Sequence, residues 1–161
     1  MIIEQDIVTI YVPITLDNGS KIHRFSHVVK GAEIGENVMI GEHCYIASDV
    51  KIGDGTRIQN GNNLYDGCRV GKNVFIAPRV AISNHHDPAI REGKFVADSV
   101  IIEDDAILCI NCTIVAPRRI GRGAKVAGGA TVLRDIEDGE VYYSLYSDKY
   151  KDGLIYPKGD K

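Results

Sequence analysis

The sequence predicts an all-β chain wound into a parallel β-helix, and three observations predict it. An aliphatic residue recurs at every sixth position: Ile22, Val28, Ile34, Ile40, Ile46, Ile52, Ile58, Leu64, Val70, Ile76 and Ile82, resuming at Ile102, Leu108, Ile114, Ile120, Val126 and Val132. A small or medium residue follows four positions later, at Ser26, Ala32, Val38, Cys44, Val50 and Thr56, then at Ala106, Cys112, Ala124 and Ala130. Glycine directly follows the aliphatic residue at 35, 41, 53, 71 and 121. A period of six suits neither an α-helix nor an alternating hairpin sheet. It suits short strands and tight turns around a three-sided prism, with the aliphatic residue inward and the small one beneath the neighbouring turn. Three hexads close a coil of about 18 residues, coils stack at ~4.8 Å, and residues one coil apart form ladders. Seventeen hexads give nearly six coils, a prism on the order of 27 Å tall.

The elements follow in order. Residues 1–21 contain an extended run and a turn signal at Asn18-Gly19. They are expected to cap the first coil against edge pairing. Residues 22–137 form the prism. Residues 84–98 interrupt it as a loop, because Asn84, His85, His86 and Asp87 break the pattern and Pro88 blocks regular pairing. Counted from Ile82 to Ile102, the interruption spans 20 residues, two more than one coil. Residues 138–161 form a C-terminal extension holding Tyr142, Tyr143, Tyr146, Tyr150 and Tyr156, read as packing residues.

Composition narrows the function. At 161 residues one domain is expected. A net charge of −3 and mixed charges give no footprint for nucleic acid or an anionic membrane. No apolar run approaches the roughly 20 residues that span a bilayer, and the acidic start MIIEQD is unlike a secretory signal. A cytoplasmic location is expected. Cys44, Cys68 and Cys112 fall at inward small positions, as buried thiols, whereas Cys109 points outward. Cys109-x-x-Cys112 lacks a second pair at zinc spacing, so no metal is expected.

Ladder spacing then gathers candidate site residues. Steps of one coil from His27 reach Tyr45, Asn63 and Ala81, a polar stripe leading to the loop. The same step places Asn84 over Asp66 and His85 over Gly67. Beside them, IQNGNNLYDGC supplies Asn60, Asn62, Asn63, Tyr65 and Asp66, donors and acceptors that suit a hydroxyl-rich ligand such as a sugar.

Several linked motifs carry a family resemblance: Phe25-x-His27, RIQNGNNLYDG, APRVAISNHHDP, NCTIV at Asn111 to Val115, and KVAGGATVLRD. Over roughly residues 22 to 137 the chain resembles the hexapeptide-repeat N-acetyltransferases that acylate a nucleotide-linked 3-amino sugar for surface polysaccharides. The resemblance implies a left-handed coil, a homotrimer with clefts between prisms, acetyl-CoA as co-substrate and a small-molecule nucleotide sugar as acceptor. Some relatives use a histidine at a subunit cleft and some 3-amino-sugar enzymes manage without an evident base; if this chain uses one, His85 or His86 is the candidate, oriented by Asp66 or Asp87, with Asn84 holding the sugar or its amine. His27, Asn62, Asn63, Tyr65 and Asp66 would bind substrate. Cys109, Ile110, Ala127 and Gly128 would line the coenzyme A path, with Arg134 meeting a phosphate. Two departures stand out. His85-His86-Asp87 replaces an aromatic-Asn pair, and VYYSLYSDKY replaces the Val-x-Gly-x-Pro-Ala motif that holds the adenine end. The competing classes are a γ-carbonic-anhydrase-like metalloenzyme, which needs three histidines around zinc, and a non-catalytic hexapeptide scaffold.

Overall fold

The computed structural model describes residues 7–85 and 96–144. Within them every regular element is a strand of two or three residues. The strands stack into three faces, visited in rotation. The first face pairs His27–Val29, Tyr45–Ile46 and Asn63–Leu64 in parallel, with Ala81–Ile82, Thr113–Ile114 and Thr131–Val132 above. The second holds Glu33–Ile34, Lys51–Ile52, Cys68–Val70, Val100–Ile102 and Arg118–Ile120. The third runs from Lys21–Ile22 through Met39–Ile40, Arg57–Ile58, Phe75–Ile76, Ile107–Leu108 and Lys125–Val126 to Val141–Tyr142. This is the parallel β-helix that the six-residue period predicts.

The core follows the same arithmetic. Ile22, Ile34, Ile40, Ile46, Ile58, Leu64, Ile76, Ile102, Leu108, Ile114 and Ile120 are all fully buried, each contributing about 1.5–3 kcal/mol of apolar burial. The inward small position also admits polar side chains that bridge coils. Ser26 Oγ donates to Gly41 O and accepts from Cys44 N–H. Thr56 Oγ1 does the same between Gly71 O and Val74 N–H. Asn62 belongs to this series. It is buried, its amide donates to Gln59 O (2.6 Å) and Ala77 O (3.0 Å), and its Oδ1 accepts from Val80 N–H (2.9 Å). The expectation that Asn62 binds substrate is therefore corrected: its polar atoms are consumed by backbone groups that would otherwise be unsatisfied. Cys44, Cys68 and Cys112 occupy three further inward positions as free thiols. Burial pushes the Cys68 and Cys112 thiols up to about 12 and raises Cys44 as well.

Most corners turn through a left-handed residue, largely at steps of six. Phe25, Asn37, His43, Asn73, Arg79, Asp105 and Asn111 have positive φ without being glycine. Where glycine follows an aliphatic residue, the reason is close approach. A Cβ on Gly35 would lie 2.8 Å from the backbone nitrogen of Asp54 in the next coil.

Two boundaries differ from the sequence reading. Cys68 pairs with Val100, and the ladder crosses the loop with an offset of 32 residues, against 18 in the coils below it. Ile82 and Ile102 are thus consecutive hexads, and the loop is an insertion of 14 residues rather than a coil with two to spare. At the top, Ile120 bridges Ile136 and Val126 pairs with Tyr142. The prism continues past residue 137, because this coil is two residues shorter and Tyr142 fills the aliphatic position, its hydroxyl donating to Thr131 O. At the bottom, Ile14–Thr15 and Ile7–Thr9 pair antiparallel with Lys21–Ile22 and His27–Val29, covering the first coil's edge. Tyr146, Tyr150 and Tyr156 lie outside the described residues.

Candidate functional site

The candidate residues divide between two corners of the prism. The corner between the third and first faces carries a groove of about 440 Å³ lined by Cys109, Ile110, Lys125, Ala127, Gly128, Val141 and Tyr143. Four of these are the residues singled out for coenzyme A. Their strands place them one coil apart, since Ile107–Leu108 pairs with Lys125–Val126 and that with Val141–Tyr142. Gly128 keeps the groove open: a Cβ there would sit 3.3 Å from Ile110 O. Lys125, Val141 and Tyr143 also line the groove and were not singled out from sequence. Their outward place on the third face was available; the shortened last coil hid that Val141 and Tyr143 share it.

Arg134 does not line this groove. Its guanidinium forms a forked pair with Glu140, 2.6 and 3.1 Å, and lies over the Tyr142 ring at 5.1 Å. The hydrogen bond to Glu140 is the main reason its pKa is raised. In this structure the guanidinium meets an intrachain carboxylate, brought within reach by the short final coil.

The corner between the first and second faces holds the loop root. Ser48 Oγ donates to Asp66 Oδ1 (3.2 Å), and Asp49 accepts from Gly67 N–H (2.9 Å) and from Arg69 (3.1 Å). Partial burial pushes the Asp49 carboxyl up, but these hydrogen bonds outweigh it and leave the group below the usual carboxylate range. Asn84 and His85 arrive here half-buried. Asp98 N–H donates to Asn84 O (2.8 Å), closing the loop. The register of Cys68 with Val100 carries the ladder over Asp66 to Asp98 rather than to Asn84. Asp98 stands at this corner and was not singled out from sequence; counting back from Val100 instead of forward from Ile82 would have found it. His86 and Asp87 lie outside the described residues.

The polar stripe on the first face is as spaced. His27, Tyr45 and Asn63 are register partners. His27 Nδ1 lies 3.1 Å from Thr9 Oγ1. Tyr45 and Tyr65 pack with ring centroids 5.8 Å apart, tying the stripe to the loop corner. Among the described residues no group of three His, Cys, Asp or Glu side chains is placed to hold a metal, and no helix is long and apolar enough to cross a membrane.

The model of the bacterial transferase hexapeptide (six repeats) matches residues 13–48 and 49–84, and that of the hexapeptide repeat of succinyl-transferase matches 99–134. The chain belongs to the hexapeptide-repeat transferase family. The matched segments stop at 84 and restart at 99, on either side of the loop. The bifunctional protein GlmU of Acetivibrio thermocellus is 28% identical over 145 residues, covering 90% of this chain and 30% of its own. GlmU of Burkholderia ambifaria is 28% identical, covering 89% and 33%. The chain thus spans about a third of these curated relatives. Among solved structures, PerB from Caulobacter crescentus, in complex with CoA and GDP-perosamine, superposes with a TM-score of 0.63 at 25% identity, covering 74% of this chain and 51% of PerB. The hexapeptide-repeat acetyltransferase VCA0836 from Vibrio cholerae, complexed with acetyl coenzyme A, shares the fold with a TM-score of 0.52 at 21% identity, covering 67% and 63%.

Proposed function

We propose that this chain is an acetyl-CoA-dependent acetyltransferase that N-acetylates a nucleotide-linked amino sugar, working as a homotrimer. The observation that supports it most is the groove at Cys109–Ile110 and Ala127–Gly128. Gly128 leaves the backbone beside Ile110 uncovered there, which suits the close approach of a pantetheine arm. The chemistry needs a neutral amine whose nitrogen bonds to the thioester carbonyl as the C–S bond breaks. One proton leaves nitrogen for a base and ends on the departing thiol. His85 at the loop root supplies that base, an imidazole being matched to neutral pH. Asn84, Asp66 and Asp98 fix the root around it, while His27, Asn63 and Tyr65 face the sugar. Groove and loop root lie at opposite edges of the first face within one protomer. A neighbouring prism is what brings one protomer's loop to another's groove, which supports the trimer. PerB, which binds CoA and GDP-perosamine, is consistent with this substrate class. The test is a screen of nucleotide-linked amino sugars for thiol release from acetyl-CoA. Release with at least one amino sugar and none with the corresponding hydroxyl sugar supports the reading; no acetyl-CoA binding at millimolar concentration removes it.

A further inference from the structure

We propose that the lower part of the groove corner binds the nucleoside diphosphate half of the acceptor, with the base on the Phe25–His43 ring pair and the diphosphate at Arg79. The assignment deepens the reading above, on which it depends only for the identity of the sugar end. The corner between the third and first faces turns through Phe25, His43, Gly61, Arg79, Asn111 and Gly129, one per coil, all with positive φ. The corner between the second and third faces uses Asn37, Gly55, Asn73, Asp105, Gly123 and Gly139 for the same turn. That second set comprises the residue types that accept a left-handed backbone cheaply, whereas phenylalanine there costs about 1–2 kcal/mol. Phe25 does not recover this by burial, being 44% exposed. A backbone outlier carrying an exposed aromatic points to a ligand.

The local geometry names the ligand. The Phe25 and His43 rings stack with centroids 5.0 Å apart and planes 23° from parallel. One level up, Gly61 has no side chain, and above it Arg79 leans down until its Cγ is 3.6 Å from where a Gly61 Cβ would stand. The exposed His43 ring therefore faces a level that carries no side chain of its own, with the Arg79 stem leaning towards it from above. A flat π-system fits on the ring, and an anionic group fits the arginine. Arg24, beside the pair, is neutralised by Glu42 at 3.2 Å. Among the described residues Arg79 meets no carboxylate. His43 and Asn111 are three coil levels apart, about 14 Å, the order of length of an extended diphosphate bearing one sugar ring. Base and thioester thus occupy one corner, with the amine between them.

The experiment titrates GDP, UDP and inorganic pyrophosphate into the full chain by calorimetry, with Phe25→Asn, His43→Asn and Arg79→Gln alongside. Asparagine suits the left-handed turn, so the first two variants should melt no lower than the parent. At least one nucleoside diphosphate is expected to bind more than 10-fold tighter than pyrophosphate. Phe25→Asn and His43→Asn should each weaken it by about 5- to 150-fold, the range for loss of one base–aromatic stack. Arg79→Gln should weaken nucleoside diphosphates and pyrophosphate alike, and acetyl-CoA should bind all four proteins equally. Unchanged nucleotide affinity in both asparagine variants overturns the proposal. So does a change in sedimentation on either substitution, which would make the rings a subunit contact. Failure of acetyl-CoA to bind, with nucleotide affinity still lost in the variants, removes the acetyltransferase reading and leaves this one standing.

Discussion

Two corners of the same prism, built from the same repeat, are put to opposite uses. Between the second and third faces the turn side chains fold back onto their own stack. Asp54, Asp104 and Asp138 cap the amides of Glu36, Lys72 and Arg122 in the coil below. Lys72 pairs with Asp54 and Arg119 with Asp138, both at 2.8 Å. Between the third and first faces such contacts are fewer: Asn60 caps the Glu42 amide and Arg24 pairs with Glu42, whereas Phe25 and Arg79 stand out from the corner, Gly128 leaves it open, and the groove follows. The repeat dictates the column, but a corner can hold a ligand only where its side chains are not already satisfied by the next coil.

The sharpest test of this division is at the loop. His85→Ala should lower kcat by about 10²- to 10⁴-fold, the usual worth of a general base, with Tm held within a few degrees; unaltered turnover would assign the proton to another group. Next in size is a paired glycine replacement. Gly35→Ala at the closed corner forces a Cβ to within 3 Å of Asp54 backbone, and should destabilise by roughly 1–3 kcal/mol, as overpacking does. Gly128→Ala at the open corner should melt almost as the parent but raise the KM for acetyl-CoA; equal melting of the two variants would break the contrast. Thiol labelling gives a smaller, graded readout. Native protein at pH 8 should take up maleimide at Cys109 alone, because Cys44, Cys68 and Cys112 are buried with raised pKa values. Mass spectrometry in denaturant should then find all four labelled. The least effect concerns acid. Asp54 is held below its ordinary value by Lys72, and Asp138 by Arg119. A carboxyl depressed in the fold stabilises above its unfolded pKa near 4 and loses that contribution as pH falls through the folded value. Melting scans from pH 7 to pH 3 should show Asp54→Asn flattening the acid slope slightly, and an unchanged slope would mean the capping is idle.

The column was legible because burial imposes it residue by residue: Ile22 to Ile82 read inward in the sequence and are inward in the structure. The buried thiols were legible for the same reason, as were Cys109, Ile110, Ala127 and Gly128, which inherit their place from strands one coil apart. Polarity alone misled at Asn62, since an amide at an inward position serves backbone carbonyls of two coils, and sequence does not say which way it faces. The loop register failed because spacing between aliphatic residues cannot separate a full coil from an insertion between adjacent hexads. The Arg134–Glu140 pair was hidden for a related reason: a coil two residues short brings up Glu140, and no periodic count anticipates it. The left-handed corners left no hydrophobic signal, although Phe25 and Arg79 stood at the step of six throughout.

The loop enters and leaves between neighbouring rungs while Cys68 and Val100 remain aligned. Its length and chemistry are therefore decoupled from the stack that carries it. A graft of a different segment between Ile82 and Val100 need not disturb a single core residue, so under the proposed function acceptor preference can drift or be engineered while the acyl-donor track stays fixed.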